Sequence, residues 1–430
     1  MPRPPEKALP ERIVHAIMRA REEGIPTPYY LYDEAGIRET ARGFQATMSQ
    51  IGKTREGFRN FFAVKALPNP SILRILQEEG MGMDCSSLAE LTMVKHLGID
   101  GKDVMFTSNN TPDAEFRAAL DLDSIINLDD ITHVDRLAAV AGDRFPTTLS
   151  FRYNPGDLKK GNFIIGKPVD AKFGLRRDQL SQAYAQAHEK EVTRFGLHTM
   201  VASNELDPAY FCDTAEMLFR TARELEEERQ MRFAFLNLGG GIGIPYRPGE
   251  QPVDIHRVAT GISESLQRHF PDAKPDIFME CGRYITGPHG YLVTSVRQVA
   301  EKHKSFVGVD ASMSNLMRPG MYGAYHHITA LDENGVMTFD HDTARQFDVT
   351  GGLCENNDKF AIDRPLPEVR RGNTLVLHDT GAHGHAMGFQ YNGFLRSAEY
   401  LLGTYGKVKC VRREETVYDL FATLNGLWPA

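Results

Sequence analysis

The chain has 430 residues, of which 41% are hydrophobic and 25% charged, the make-up of a globular chain long enough for two domains with cores of their own. Its 49 basic and 57 acidic side chains leave a formal charge of -8, which disfavours a nucleic-acid partner, and its five cysteines carry no CxxC spacing, which suits reduced thiols better than a disulfide framework. The N-terminal MPRPPEKALPERIV has no apolar signal-type core, and no run approaches the roughly 18 apolar residues of a membrane span, so a cytoplasmic protein without a membrane partner is expected.

In chain order, eight short apolar runs read as strands: FFAVK (61–65), MGMDC (81–85), DVMFT (103–107), SIINL (124–128), TLSFRY (148–153), FGLHTM (195–200), FAFLNL (233–238) and DIFME (276–280). Between them lie segments with helical spacing and start signals. Ser87 with Glu90 reads as a capping box, and Thr111–Pro112 and Asp207–Pro208 read as helix entries. Strand and helix alternating eight times in about 260 residues predict an α/β fold, a closed eight-stranded β/α barrel over 33–292, with a doubly wound open sheet as the alternative. After Gly290 the texture changes to short β-like runs, YLVTSVRQVAEKH, FVGVDAS, MTFDHD, QFDVTGG, TLVLHDTG and AEYLLG, which predict a C-terminal all-β domain over 293–430. The placement of residues 1–32 does not follow from periodicity.

In β/α barrels the reactive side chains stand where strands end. That filter selects Lys65, Asp84, His198 and Met200, the glycines of GGGIG (239–243), and Glu280 with Arg283. Lys65 ends an apolar run, so it either faces solvent or is a lysine whose chemistry requires a depressed pKa. The loops after strands seven and eight form the usual phosphate pocket of barrels. Gly239, Gly240 and Gly241 let backbone amides approach an anion there, and Arg283 adds a fork of donors. A phosphate pocket opposite a strand-end lysine points to pyridoxal 5'-phosphate, with Glu280 as the carboxylate partner of the ring nitrogen. No metal is called for. Each residue taken singly also has a plain structural reading: Lys65 as a surface lysine, Glu280 as an ion-pair partner of Arg283, GGGIG as a tight turn and Cys354, after two glycines, as a small buried thiol.

The segments FAVKALPNPSILRIL, GMDCSSLAEL, LNLGGGIGIPY, ECGRYITGPHGYLVTSV, VDASMSNLMRPGMYGAYHHI, TGGLCENNDKFAIDR and DTGAHGHAMGFQYNG occur in an order that resembles the pyridoxal-phosphate-dependent decarboxylases of the alanine racemase fold, most closely those acting on diaminopimelate. The likeness runs from about Thr27 to Gly403. It implies a barrel of alanine racemase type, with the TPYYLYD segment joining the β domain, and a homodimer with shared active sites. It further implies that Lys65 is the Schiff-base lysine, that Gly239 to Gly241, Ser203 and Arg283 hold the phosphate, and that Glu280 faces the ring nitrogen. Arg318 and Tyr322 then bind the substrate's distal carboxylate, with Arg283 and Tyr391 in the substrate set. The partner's Cys354 protonates the product and the partner's Glu355 holds the distal ammonium. Relatives acting on ornithine, lysine or arginine commonly carry aspartate where this chain has Glu355, so the resemblance implies release of L-lysine and carbon dioxide from meso-2,6-diaminopimelate, the last step of lysine synthesis.

Three departures stand out. Met200 occupies the place of the family's ring-stacking histidine, His383 that of a tyrosine near the phosphate, and Cys281 that of the proline in the usual EPGR. His383 can still donate to a phosphate, with a pH dependence added. The rival readings are a decarboxylase of another basic or polyamine-related amino acid, an amino-acid racemase, and a catalytically silent cofactor-binding regulator.

Overall fold

The computed structural model describes residues 7–51, 57–161, 164, 166–340 and 343–426. It divides into two compact units, one built from 7–37, Pro245–Glu250 and 286–426, the other from Arg38–Ile244 and Gln251–Ile285.

The first unit opens with helix α1 (Glu11–Glu22) and strand β1 (Tyr29–Asp33). Between β1 and the next strand runs α2 (Glu34–Met48). In the second unit eight strands close into a parallel barrel in sequence order. They are β2 (Phe58–Ala63), β3 (Gly82–Cys85), β4 (Val104–Phe106), β5 (Ile125–Leu128), β6 (Thr148–Tyr153), β7 (Arg194–Thr199), β8 (Phe233–Asn237) and β9 (Asp276–Met279). Closure excludes the doubly wound sheet. Connecting them are α3 (Pro70–Glu78), α4 (Leu88–His96), α5 (Asp113–Asp121), α6 (His133–Ala141), α7 (Arg177–Glu189), α8 (Pro208–Arg229) and α9 (Ile255–His269).

Local chemistry sets these boundaries. Asn69 caps α3 by accepting the Ser71 amide at 3.0 Å, with Pro70 opening the helix, and Asp207 caps α8 at the Ala209 amide (2.9 Å) ahead of Pro208. At α5 Pro112 itself is the cap residue, and the helix begins one residue later. The capping box expected at Ser87 forms only in half. Ser87 accepts the Glu90 amide, while the Glu90 carboxylate reaches one residue further back to the amide (2.6 Å) and hydroxyl of Ser86. Phe61, Met105, Phe235 and Phe278 form one cluster although β2, β4 and β8 are not neighbours in the barrel, which places them inside it. Phe235 and Phe278 stack with centroids 4.8 Å apart. Gly196 makes room for this layer, since a Cβ there would collide with the Phe235 ring.

In the other unit a mixed sheet runs β13 (Gly335–Val336), β12 (Ile328–Asp332), β16 (Thr374–Leu377), β10 (Gly290–Glu301), β1, β17 (Ala398–Leu402) and β18 (Val408–Arg412). Strand β1 lies antiparallel to β10 and parallel to β17. The far end of β10 continues into β11 (Ser305–Val309), which pairs with β14 (Arg345–Thr350), itself paired with β15 (Lys359–Leu366). The amphipathic face of α1, Ile13, Ala16, Ile17 and Ala20, packs on Leu31, Val293, Leu331 and Val376. Short helices α11 (Arg318–Tyr322) and α12 (Val417–Leu420) interrupt the strands, as α10 (Arg283–Thr286) follows the barrel. The MTFDHD run forms no strand over 337–340, and His341 and Asp342 lie outside the described residues. No helix among the described residues is long and apolar enough to cross a membrane.

Candidate active site

The C-terminal strand ends of the barrel converge on a buried polar cluster. Strand β2 stops at Ala63, so Lys65 sits in a tight 3-10 turn (Val64–Ala66) beyond the strand it was expected to close. Its ammonium lies 3.3 Å from Oδ2 of Asp84 on β3, and half of its side-chain surface remains open to solvent. Burial of the amine disfavours its charge, but the carboxylates of Asp84, Glu280 and Glu90 outweigh that effect and hold its pKa above the ordinary value. Of the two alternatives the sequence left open for Lys65, the half-exposed side chain fits the solvent-facing one, and the surrounding acids favour its charged form.

The two inner carboxylates are driven apart. Asp84 is pushed well up by burial and then by the neighbouring charge of Glu280. Glu280, although burial opposes its charge, is held below the ordinary carboxylate range by His198, Lys65 and Asn237. Asn237 at the end of β8 donates to Glu280 Oε1 (2.8 Å) and accepts the Gly239 amide through its own oxygen (2.9 Å). Asn127 at the end of β5 donates to His198 Nδ1 (3.1 Å), which leaves Nε2 to carry the ring proton and face Glu280 Oε2 at 3.3 Å. Asn60 clamps the loop after β9, accepting the Cys281 amide and donating to its carbonyl.

The glycine loop is held by close approach. Gly239 (φ +67°) and Gly241 (φ +99°) both adopt left-handed backbone, and a Cβ on either would strike the Thr199 or Ala202 carbonyl. Met200 supports the same loop, its thioether sulfur accepting the Gly240 amide at 3.1 Å. Arg283 donates to the Ser203 hydroxyl at 3.4 Å, bringing together two further residues selected from the sequence.

The other unit groups the remaining candidates. Arg318 is buried, donates to His326 Nε2 (2.9 Å) and lies 4.7 Å from the Tyr246 ring centroid, while Tyr322 at the end of the same short helix is 57% exposed. That helix abuts the loop after β14: a Cβ on Gly320 would meet the Asn357 carbonyl at 2.5 Å. Asp358 braces the loop by accepting the Leu353 and Met313 amides. Cys354 and Glu355 stand side by side at its surface, so the buried-thiol reading of Cys354 is overturned: the bracing comes from Asp358, not from an inward thiol. The Cys354 amide donates to Asn392 (2.7 Å), next to the exposed Tyr391. His383 is half-buried in left-handed backbone (φ +55°), and its neighbour His385 is buried against Arg396 and the Ser397 carbonyl.

Reasoning from the sequence missed Asn127, Asn237 and the Arg152–Asp129 pair (3.3 Å). All four are polar residues at strand ends, and the filter that found Asp84 would have found them. A family model described as "Pyridoxal-dependent decarboxylase, pyridoxal binding domain" matches residues 37–287. The chain belongs to the pyridoxal-dependent decarboxylases. Protein TabA of Pseudomonas amygdali pv. tabaci is 41% identical over 394 residues, covering 92% of this chain and 90% of that one. The diaminopimelate decarboxylase of Methanothermobacter thermautotrophicus is 36% identical over 420 residues, covering 95% and 94%. Among solved structures, diaminopimelate decarboxylase from M. jannaschii in co-complex with L-lysine superposes with a TM-score of 0.86 at 28% identity, covering 96% of this chain and 94% of that one.

The cofactor of this pyridoxal-dependent decarboxylase is pyridoxal 5'-phosphate. The barrel's residues fit it. A half-exposed primary amine, an ionised buried carboxylate, a close-packed glycine loop and a guanidinium–hydroxyl pair share the strand ends of one unit. Oδ1 of Asp84 is buried without a hydrogen-bond partner among the described residues, as expected of a polar atom that turns toward a ligand.

Proposed function

We propose that this decarboxylase acts on meso-2,6-diaminopimelate, releasing L-lysine and carbon dioxide at the last step of lysine synthesis. The observation that carries the substrate assignment is the solvent-facing Cys354–Glu355 pair on a braced loop, abutted by the helix that bears Arg318 and Tyr322. Across a dimer, this unit of one protomer would offer a guanidinium and a hydroxyl for a distal carboxylate, and the same unit of its partner a carboxylate for the distal ammonium. Diaminopimelate decarboxylases among the relatives support the reading.

When bound, pyridoxal phosphate supplies the electron sink for the pair left by the departing carboxylate. Lys65 would be the amine that holds it. Glu280, oriented by Asn237 and His198, would hold a proton at the ring nitrogen. Gly239 to Gly241, Ser203 and Arg283 would hold the phosphate, with His383 as a further donor, and Met200 would pack against the ring. Asp84 and His198 line the same site. Arg318, Tyr322 and Tyr391 seat the substrate, with Arg283 also within its reach. In a homodimer with shared sites, the partner's Glu355 takes the distal ammonium, and the partner's Cys354 delivers a proton to the α-carbon that has lost its carboxylate. The test is product analysis: the cofactor-loaded protein given meso-diaminopimelate yields L-lysine and carbon dioxide in equal amounts, whereas epimerisation without gas release contradicts the reading.

A further inference from the structure

The unit that carries the mixed sheet contains a cavity of about 1100 Å³ that no step above uses. It lies wholly within that unit, and its volume is slightly above the roughly 300–1,000 Å³ typical of small-molecule sites. Its wall carries an unusual charge arrangement. The guanidinium of Arg364 lies 4.2 Å, and that of Arg247 4.7 Å, from the centroid of one ring, Tyr325. Two like charges share one aromatic neighbour, which offsets only about 0.5–1 kcal/mol each.

The other charged groups of the wall are already engaged. Lys7 pairs with Asp379, Lys359 with Asp348 (3.1 Å), and Asp363 with Lys304 (2.7 Å). Arg364 donates to the His326 carbonyl at 2.9 Å. Among the described residues neither the Arg247 nor the Arg364 guanidinium is within salt-bridge reach of a carboxylate. Burial and the nearby Arg247 both disfavour the charge of Arg364, and His327 on the same wall is pushed down to about 4 by burial, Arg364 and Lys7. Arg364 is half-buried and Arg247 exposed beside it, two cations that face no carboxylate among the described residues, an arrangement suited to an anion.

We propose that this cavity binds a small oxyanion, a carboxylate or a phosphate, between Arg247 and Arg364. Each guanidinium carries a planar fork of N–H donors suited to the oxygens of such a group, and both lie against the Tyr325 ring.

The test is isothermal titration calorimetry of the cofactor-loaded protein, whose catalytic phosphate pocket is then filled, with inorganic phosphate and with succinate at fixed ionic strength. Saturable binding of at least one anion, with a dissociation constant on the order of 1 mM or tighter, is expected, and the anion preferred reports the ligand class. Arg247→Gln alters an exposed side chain, and Arg364→Lys keeps the charge but removes the fork; each is expected to weaken binding at least about tenfold. Absence of saturable binding, or affinity unchanged in both variants, overturns the proposal. So does an Arg247→Gln protein that loses self-association in sedimentation while keeping its anion affinity, since the guanidiniums then face carboxylates of a second copy of the chain.

Discussion

The barrel strand ends and the loop that carries Cys354 and Glu355 handle the same kinds of side chain in opposite ways. In the barrel Asp84, His198, Asn237 and Glu280 are almost fully buried and tied to one another, so each carboxylate's charge state is set by its neighbours before any ligand arrives. On the loop Cys354 and Glu355 are exposed: Asn392 accepts the Cys354 amide at 2.7 Å, and the Glu355 carboxylate accepts the Asn357 amide of its own turn at 3.3 Å. Burial is expensive for charge and is tolerated where the chemistry needs fixed electrostatics. Exposure leaves a side chain adaptable, which suits groups that choose a substrate. On the reading proposed above, cofactor chemistry belongs to the barrel, and Glu355 of the other unit chooses among amino acids while Cys354 beside it supplies the proton.

The comparison breaks most sharply at Lys65. Lys65→Ala is expected to abolish turnover and the absorbance of a covalently held cofactor, and an active Lys65→Ala protein removes the whole scheme. Cys354→Ala should lower kcat by about 10²- to 10⁴-fold, the usual contribution of a positioned proton donor, while cofactor titration is unchanged. Loss of cofactor affinity in that variant would mean that the loop is not separate from the barrel chemistry. Glu355→Asp retracts the carboxylate by one methylene and is expected to reduce kcat/KM for meso-diaminopimelate by about 10- to 200-fold, with cofactor binding again unaltered.

The smallest expected effect is on pH-dependent stability. The folded pKa of Glu280 lies below its ordinary 4.5, so its ionisation stabilises the fold fully above about pH 4.5, and that contribution is lost as the pH falls toward the folded value. Asp84 works in the opposite sense: its raised pKa makes the folded state bind the proton more tightly, so its contribution is lost as the pH rises above the ordinary 3.8. Glu280→Gln should therefore flatten the acid limb of a denaturation profile; a limb left unchanged in that variant would contradict the electrostatics assigned to the barrel.

Much of this architecture is legible in the sequence because a barrel strand buried on both faces is a short apolar run whose end is marked by a polar residue. All eight runs are strands, and Asp84 and Glu280 stand where the runs led. What periodicity hides is long-range. The strand-end positions of Asn127 and Asn237 mark them as candidates, but their partners, His198 and Glu280, are brought to them only by folding. The raised pKa of Lys65 depends on acids from β3, α4 and the end of β9, which no local pattern assembles. The sulfur of Met200 also accepts the Gly240 amide, a contact across 40 positions that its place in the sequence does not disclose.

The measurement that bears most directly on substrate choice is kcat/KM for carbon dioxide release from meso-diaminopimelate, L-lysine, L-ornithine and L-arginine, taken side by side on the cofactor-loaded protein. The predicted result is efficient release from meso-diaminopimelate alone. Preference for any of the other three would contradict the role given to Glu355.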